Sequence, residues 1–179
     1  MTLTRRVLPG LVLAALALPS LAQQSSVTNP SSTLTRPNDA TPYAQNDLIA
    51  SSTTAGSIVV PSFPGGSQII PRVRLSTNKT SGWDAATLRV RLWSTAPTYG
   101  AGDNAAYAVA TGAAGLLGYY DVTLAQFSDG AAGVAAPSAG SAAWVATGSL
   151  IYWDLQLNSA AGVTPAALQT FTLIPEITR

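Results

Sequence analysis

Carboxylates provide most of the acid–base chemistry open to this sequence, because the 179-residue chain contains neither histidine nor cysteine. A Ser-His-Asp or Cys-His nucleophile, a thiolate and a zinc site of the usual nitrogen and sulfur type are therefore excluded. Glycoside hydrolysis needs two carboxylates about 5–10 Å apart, and a β-sandwich could place Asp121 and Asp154 on facing strands. Four other aspartates lie beside Asn, Gly, Ala or Ser, as in turns where Asp accepts backbone hydrogen bonds: Asp39, Asp84, Asp103 and Asp129. We predict that the protein is not an enzyme.

Neither a metal nor a cofactor is predicted. Calcium takes oxygen ligands from loops, and Asp103 with Asn104, or Asp129, could supply them, but no recognised loop spacing surrounds these residues. The glycine-rich stretch 112–118 lacks the Lys-Ser/Thr ending of a phosphate-binding loop. Nucleic acid is not expected as a partner, since 9 Lys and Arg nearly balance 8 Asp and Glu and no strong positive field results.

The composition favours permanent assembly. Charged residues make up 9% of the chain, against about 25% in an average soluble domain. The 47% hydrophobic fraction relies heavily on alanine, which is mixed with many Ser, Thr and Gly. Such short side chains lose little conformational entropy when a contact immobilises them. We therefore predict a homo-oligomer or a subunit of a larger assembly.

Short strands punctuated by Gly, Pro, Asn and Asp follow residue 40. In the clearest one, Leu88, Val90 and Leu92 alternate with polar residues, so that period two places Arg89 and Arg91 on the opposite face. The pattern predicts about eight strands, at 48–50, 58–60, 68–76, 87–94, 116–124, 143–146, 150–157 and 170–177. Two long connections of small residues separate some of them. These features are typical of an all-β, antiparallel two-sheet sandwich of jelly-roll type.

Three regions are predicted along the chain: an apolar segment at 1–22, an extended polar arm at 23–39 and the β-sandwich at 40–179. The arm is rich in Ser, Thr, Asn and Pro and is not expected to join the core. In the first segment, Arg5 and Arg6 precede an apolar run at 11–18 and small residues before Gln23, the pattern of an export signal. That run is too short to span a hydrocarbon core of ~30 Å. The alternative is an anchoring segment that packs inside an assembly and is never removed.

Four arginines form the one charge pattern on the predicted strands. Arg72 and Arg74 alternate with aliphatic residues as Arg89 and Arg91 do. If the two strands are neighbours, the four guanidinium groups share a sheet face, where like charges need carboxylates or a partner across an interface. A solvated outer face fits the same pattern.

Six aromatic residues could form a platform for carbohydrate, because flat rings stack on the apolar faces of sugars. The competing interpretation is core packing or a subunit interface, where Tyr and Trp are enriched, and it is the one we favour. The six are Trp83, Trp93, Tyr99, Tyr107, Tyr119 and Tyr120.

Several segments resemble motifs of small virion proteins of tailed phages, which often begin with TRPxDTTxYAxxDxI. The likeness lies at 35–50 (TRPNDATPYAQNDLIA), 91–98 (RLWSTAPT), 102–107 (GDNAAY), 118–122 (GYYDV) and 127–131 (FSDGA). Members of that family are similar to capsid decoration, or cement, proteins, which are jelly-roll modules that sit on an icosahedral shell as oligomers. The family has no catalytic residues to carry over.

The resemblance implies a structural protein at the capsid surface whose partners are the major capsid protein and copies of itself. A capsid protein assembled in the cytoplasm needs no export signal. The alternative is therefore an exported bacterial β-sandwich module, periplasmic or secreted, that binds carbohydrate or a surface partner. The predicted contact residues are Arg36, Pro37, Tyr43, Arg72, Arg74, Arg89, Arg91, Tyr119 and Tyr120.

Overall fold

The computed structural model describes residues 27–51, 55–59, 68–78, 83–110, 112, 114–126, 133–135, 138–145, 150–160 and 162–178. The predicted export signal and Asp129 lie outside these ranges. No helix occurs within them. The strands are β1 (Val27–Thr28), β2 (Ser32–Thr35), β3 (Leu48–Ile49), β4 (Gly56–Val59), β5 (Gln68–Thr77), β6 (Thr87–Trp93), β7 (Leu116–Gln126), β8 (Gly133–Ala135), β9 (Ser138–Val145), β10 (Leu150–Leu157) and β11 (Thr170–Thr178).

The strands form two antiparallel sheets. In the first sheet, β11 lies between β5 and the short strands β1 and β2, and β5 pairs on its other side with β8 and β9. In the second, β6 lies between β7 and β10, and β10 also pairs with β3 and β4. Strand β8 pairs with β7 as well, which links the sheets along one edge. The predicted two-sheet antiparallel sandwich is confirmed, and each of the eight predicted strands overlaps an observed one, whereas the short strands β1, β2 and β8 were not predicted.

Alternate residues of the long strands build the core between the sheets. Leu88, Val90 and Leu92 of β6 are fully buried, and Phe171 and Leu173 of β11 meet them from the opposite sheet within one apolar cluster. Burial of each such side chain contributes about 1.5–3 kcal/mol. The period-two pattern therefore identifies the inner faces correctly.

The structure differs from the prediction that the polar segment before residue 40 stays outside the core. Within residues 27–39, the described part of the predicted arm, β2 pairs with β11, and Leu34 and Arg36 are 4% and 1% exposed. In addition, the indole Nε1 of Trp153 donates a hydrogen bond to Ser32 Oγ at 3.0 Å. The sandwich therefore includes residues of the arm, because a single apolar side chain and strand pairing suffice to dock it.

The connection between β6 and β7, residues 94–115, is here called the cover loop. It contains an isolated bridge between Tyr99 and Val109, and Ala106 bridges back to Asp47. Tyr99 packs with Leu48 and other residues in a second, smaller apolar cluster. The loop thereby covers part of the outer face of the second sheet.

Gly56 offers a test of how closely β4 approaches β10. A Cβ added at Gly56 would lie 2.5 Å from Nε1 of Trp153, whereas nothing lies within 4 Å of a Cβ added at Gly100. We expect Gly56→Ala to lower the free energy of unfolding by about 1–3 kcal/mol through overpacking. Gly100→Ala should change it by less than about 0.5 kcal/mol. Urea denaturation of both variants measures the difference, and equal midpoints would contradict the close approach.

Candidate functional site

Three of the nine predicted contact residues are buried inside the fold. Arg36, Tyr43 and Tyr120 are each 1% exposed. Tyr120 donates a hydrogen bond to the carbonyl oxygen of Ile70 across the sandwich. In the folded chain these side chains contact their own fold and present no surface to a partner, while Pro37 is half-buried.

Arg36 is the centre of a buried polar network. Its Nη2 donates to Asp103 Oδ2 at 2.9 Å and to Asp39 Oδ1 at 3.3 Å, and its Nη1 donates to the carbonyl oxygen of Ala166 at 3.1 Å. Its Nε donates to the hydroxyl of Tyr43, whose ring centroid lies 4.7 Å from the guanidinium carbon. One side chain thus joins the end of β2, the cover loop and the connection before β11.

Asp103 is the main hydrogen-bond acceptor of that network. Its Oδ1 accepts hydrogen bonds from the Tyr43 hydroxyl at 2.5 Å and from the backbone N–H of Ala50 at 2.8 Å. Burial raises the pKa of Tyr43 well above its usual 10, and the hydrogen bond to Asp103 raises it further, so the phenol stays protonated as a donor. Side chains from 35–50 and 102–107, two of the segments on which the suggested resemblance rests, meet here as parts of the fold.

Most of the six candidate aromatic residues are packed. Trp83, Trp93, Tyr99 and Tyr120 are at most 5% exposed. Trp83 Nε1 donates to Gln169 at 2.7 Å, and its ring lies edge-on to Phe171 with centroids 5.0 Å apart. Tyr107 is half-buried and Tyr119 is 45% exposed. Core packing therefore accounts for four of the six residues.

The four strand arginines do not share a face, because β5 and β6 belong to different sheets. On the first sheet, Arg72 Nε lies 2.6 Å from Glu176 Oε2, and exposed Arg74 has no ion pair within the described ranges. Together with Asn29 these side chains line a shallow pocket of about 240 Å³.

On the second sheet, Arg89 binds Asp121 through two hydrogen bonds of 2.7 and 2.8 Å. Its guanidinium carbon lies 4.5 Å from the ring centroid of exposed Tyr119. Asp121 and Asp154 are on strands that flank β6 within one sheet, so they do not face each other across the sandwich. Asp121 also forms an ion pair with Arg89. The two aspartates therefore do not form the facing pair of carboxylates that was considered for glycoside hydrolysis.

Asp154 forms a second buried polar cluster under the cover loop. It is 2% exposed, and its Oδ2 accepts three hydrogen bonds, from Trp93 Nε1 at 2.7 Å, Tyr99 Oη at 2.7 Å and Tyr107 Oη at 2.9 Å. Both tyrosines belong to the cover loop. A single carboxylate oxygen thus joins both tyrosines of the loop to the sheet.

Arg91 lies beside this carboxylate at the edge of an open pocket. Its Nη2 donates to Gln156 Oε1 at 2.5 Å, and its guanidinium carbon is 3.9 Å from the Tyr107 ring centroid. Its Nη1 lies 3.7 Å from Asp154 Oδ1, and both of these buried atoms lack a hydrogen-bond partner among the described residues. The pocket, of about 360 Å³, is lined by Arg91, Trp93, Tyr107, Val109, Gly112 and Leu116. The pocket combines a guanidinium group with aromatic and aliphatic walls.

No known protein-family model matches the chain, and no curated protein has a significantly similar sequence. Within the residues that the structure describes, no group of three or more acidic side chains is placed to hold a metal ion. The same residues contain no helix able to span a membrane. The assignment of function therefore depends on the surface and the two polar clusters.

The buried carboxyl group of Asp154 should make the free energy of unfolding depend on pH. Burial raises its pKa above the usual 3.8, although its hydrogen-bond donors and Arg91 oppose the shift. The folded chain therefore keeps this proton to a higher pH than the unfolded chain. The contribution of this pKa difference to the free energy of unfolding is fully present below pH 3.8. It is lost as the pH rises through the folded-state pKa of Asp154.

Asp154→Asn removes this titration. We expect the unfolding free energy of the wild type, relative to that of the Asn variant, to fall as the pH rises above 3.8. Urea denaturation at a series of pH values measures the two curves. Parallel curves would show that the folded and unfolded chains bind the Asp154 proton equally.

Sequence reasoning missed both polar clusters because it judged each residue by its own strand or loop. Asp154 alternates with core residues along its strand. This pattern places it on the outer face of the sheet but does not show what covers that face. One signal was available: Tyr99 and Tyr107 are the only aromatic residues between 95 and 115, among small side chains. Two large rings in such a loop indicate that the loop packs against something.

Proposed function

We propose that the chain is a structural virion protein that decorates and stabilises a tailed-phage capsid, through contacts with the major capsid protein and with copies of itself. The observation that carries the proposal is the surface. Among the described residues few charged side chains are exposed: Arg72, Arg74, Asp84 and Asp121 occupy exposed positions, and the side chain of Asp39 is 41% exposed. Most other exposed positions hold Ala, Ser, Thr, Gly or Asn.

Such a surface suits permanent contacts better than free diffusion. Freely soluble domains are well served by surfaces with about 25–35% charged residues, while the buried centres of interfaces are depleted of charge. Short side chains also lose little entropy on immobilisation. Contacts of the standard size, about 1,600 Å² each, would bridge neighbouring capsomers without any chemical step.

The buried Arg36 network supports the resemblance to decoration proteins at the level of the fold. Its members Arg36, Tyr43 and Asp103 come from two of the phage-like segments, and they are joined by hydrogen bonds of the buried, charge-assisted kind. The likeness in sequence therefore coincides with residues that determine the structure.

Intact-mass measurement on the natural protein tests the proposal, with purified particles analysed beside periplasm and culture supernatant. A full-length chain, or one lacking only Met1, found in particles would support the virion role. A chain that begins at Gln23 and occurs only in periplasm or supernatant would overturn it. The exported binding module, which the pattern of residues 1–22 favours, would then become the leading account.

A further inference from the structure

Arginine side chains in the described part of the chain are paired with carboxylates, with one exception. The pairs are Arg36 with Asp103, Arg72 with Glu176, Arg89 with Asp121 and Arg91 with Asp154. Arg74 is exposed and forms no ion pair within the described ranges. The folded chain therefore leaves one guanidinium group of the first sheet without a carboxylate.

The strand register explains why Arg74 has no partner. Arg72 lies opposite Glu176 of β11, whereas Arg74 lies opposite Ile174. A directly opposite residue on the neighbouring strand is the one best placed to pair with a strand side chain, and here it is aliphatic. Val73, between the two arginines, is 1% exposed, so both arginines project from the outer face of the first sheet.

Arg72 is only partly used by its ion pair. Its Nε donates to Glu176 Oε2 at 2.6 Å, and its two Nη atoms donate no hydrogen bond to any described residue. The Arg72 side chain is 53% exposed, so these donors face solvent. Together with Asn29 and Ile174, the two arginines line the pocket of about 240 Å³. The pocket thus combines unused guanidinium donors from two side chains.

The charges of this face select the chemistry of a partner. Two guanidinium groups and one carboxylate leave it with a net positive charge, and the guanidinium fork matches the geometry of carboxylate and phosphate groups. Glu176, whose side chain is 24% exposed, repels the more highly charged phosphate more strongly than it repels a carboxylate. A carboxylate is therefore the better complement.

The spacing of the two arginines indicates how such carboxylates are arranged. Residues two apart on a strand lie about 6.7 Å apart along it, and carboxylates two residues apart on another extended segment have the same spacing. We propose that Arg72 and Arg74 bind an extended acidic segment of a partner protein, in which two carboxylate side chains are two residues apart. The proposal holds whether or not that partner is a capsid protein.

NMR titration of the full-length protein with the peptide acetyl-Thr-Glu-Thr-Glu-Thr-amide tests the proposal. The Nε–H signal of Arg72 is the reporter, because that group donates to Glu176 beside the unused donors. The Nε–H signal of Arg89, which donates to Asp121 on the second sheet, is the internal control. The titration extends to about 10 mM peptide so that it detects a millimolar dissociation constant. We expect the peptide to shift the Arg72 signal saturably and to leave the Arg89 signal in place.

Two control peptides test the chemistry and the spacing. A peptide with Gln in place of both Glu residues should shift neither signal. A peptide with adjacent glutamates, acetyl-Thr-Glu-Glu-Thr-Thr-amide, should bind more weakly, because neighbouring side chains of an extended segment point to opposite faces. Equal affinity for the two glutamate peptides would contradict the proposed spacing.

Three variants locate the site. Arg74→Gln should weaken binding of the acidic peptide roughly fivefold, the ratio expected for one exposed ion pair. Glu176→Gln should strengthen it, because the variant removes the carboxylate that competes for Arg72; the backbone N–H of Val73 then serves as the reporter. Arg89→Gln, on the outer face of the other sheet, should bind as the wild type does. None of these side chains lies in the core, so we expect all three variants to fold.

Two further results would overturn the proposal. If the glutamate and glutamine peptides have the same effect on the Arg72 signal, the two arginines are solvated and do not recognise carboxylates. If Arg74→Gln binds the acidic peptide as tightly as the wild type does, the peptide binds elsewhere. Neither result bears on the virion role, which is decided by detection of the chain in particles.

Discussion

Replacement of Arg36 by methionine is expected to lower the free energy of unfolding by about 3–5 kcal/mol, the usual cost of removing one partner from a buried ion pair. The Asp103 side chain, 6% exposed, would lose its only cationic contact among the described residues. The carbonyl oxygen of Ala166 and the hydroxyl of Tyr43 would each lose a donor. Methionine keeps much of the aliphatic volume, so the effect reports on polar contacts and not on a cavity. Denaturant unfolding measures it.

Arg74→Met is the matched control, because Arg74 is exposed and forms no ion pair within the described ranges. Its effect should stay within about 0.5 kcal/mol. Asp103→Asn combined with Arg36→Met should cost less than the sum of the single changes, since it removes the stranded charge. An Arg36→Met variant within about 1 kcal/mol of the wild type would show that solvent replaces the guanidinium and that the network does not fasten the arm.

The inner faces of the sandwich could be predicted from sequence because burial there follows period two. Leu88, Val90 and Leu92 alternate with Arg89 and Arg91, and the structure buries the aliphatic set as the pattern indicates. Alternation fixes which residues share a face of one strand. It carries no information about which strands are neighbours, so it could not predict that β5 and β6 belong to different sheets.

The role of the arm could not be predicted because its composition is that of a linker. Residues 32–35 read STLT, with one large apolar side chain, and propensity is a weak guide for so short and polar a strand. Pairing with β11 and burial of Leu34 fix the strand. Arg36 is buried only because Asp39, Tyr43 and Asp103 converge on it from separate parts of the chain.

The buried carboxylate of Asp154 illustrates the same limit for the candidate site. Strand alternation places Asp154 outward, and an outward aspartate is normally solvated. Its burial depends on Tyr99 and Tyr107, which return from the cover loop about 50 residues earlier in the chain. Only the three-dimensional fold brings these groups together, so neither composition nor strand alternation could predict the polar clusters.

Asp154→Ala is expected to lower the free energy of unfolding by about 3–5 kcal/mol, a large share of the 5–15 kcal/mol that stabilises a typical domain. The change removes the shared acceptor of Trp93, Tyr99 and Tyr107. A buried donor left without an acceptor costs about 1–3 kcal/mol. Denaturant unfolding measures the total, and Asp154→Asn should cost less because its amide oxygen can still accept.

Asp121→Ala is the matched control, since it removes an outer-face aspartate of the same sheet from an ion pair with Arg89 that is partly exposed. Such a pair is worth about 0–1 kcal/mol. Amide hydrogen exchange adds a local measurement: the N–H of Ala110, which bonds to Thr98 within the cover loop, should exchange faster in Asp154→Ala than in Asp121→Ala. Equal unfolding and exchange in the two variants would mean that the other contacts of the loop, such as the packing of Tyr99 and the hydrogen bonds of Asp103, hold it without Asp154. A loss confined to Asp154→Ala would establish that this carboxylate helps to fasten the cover loop to the sheet.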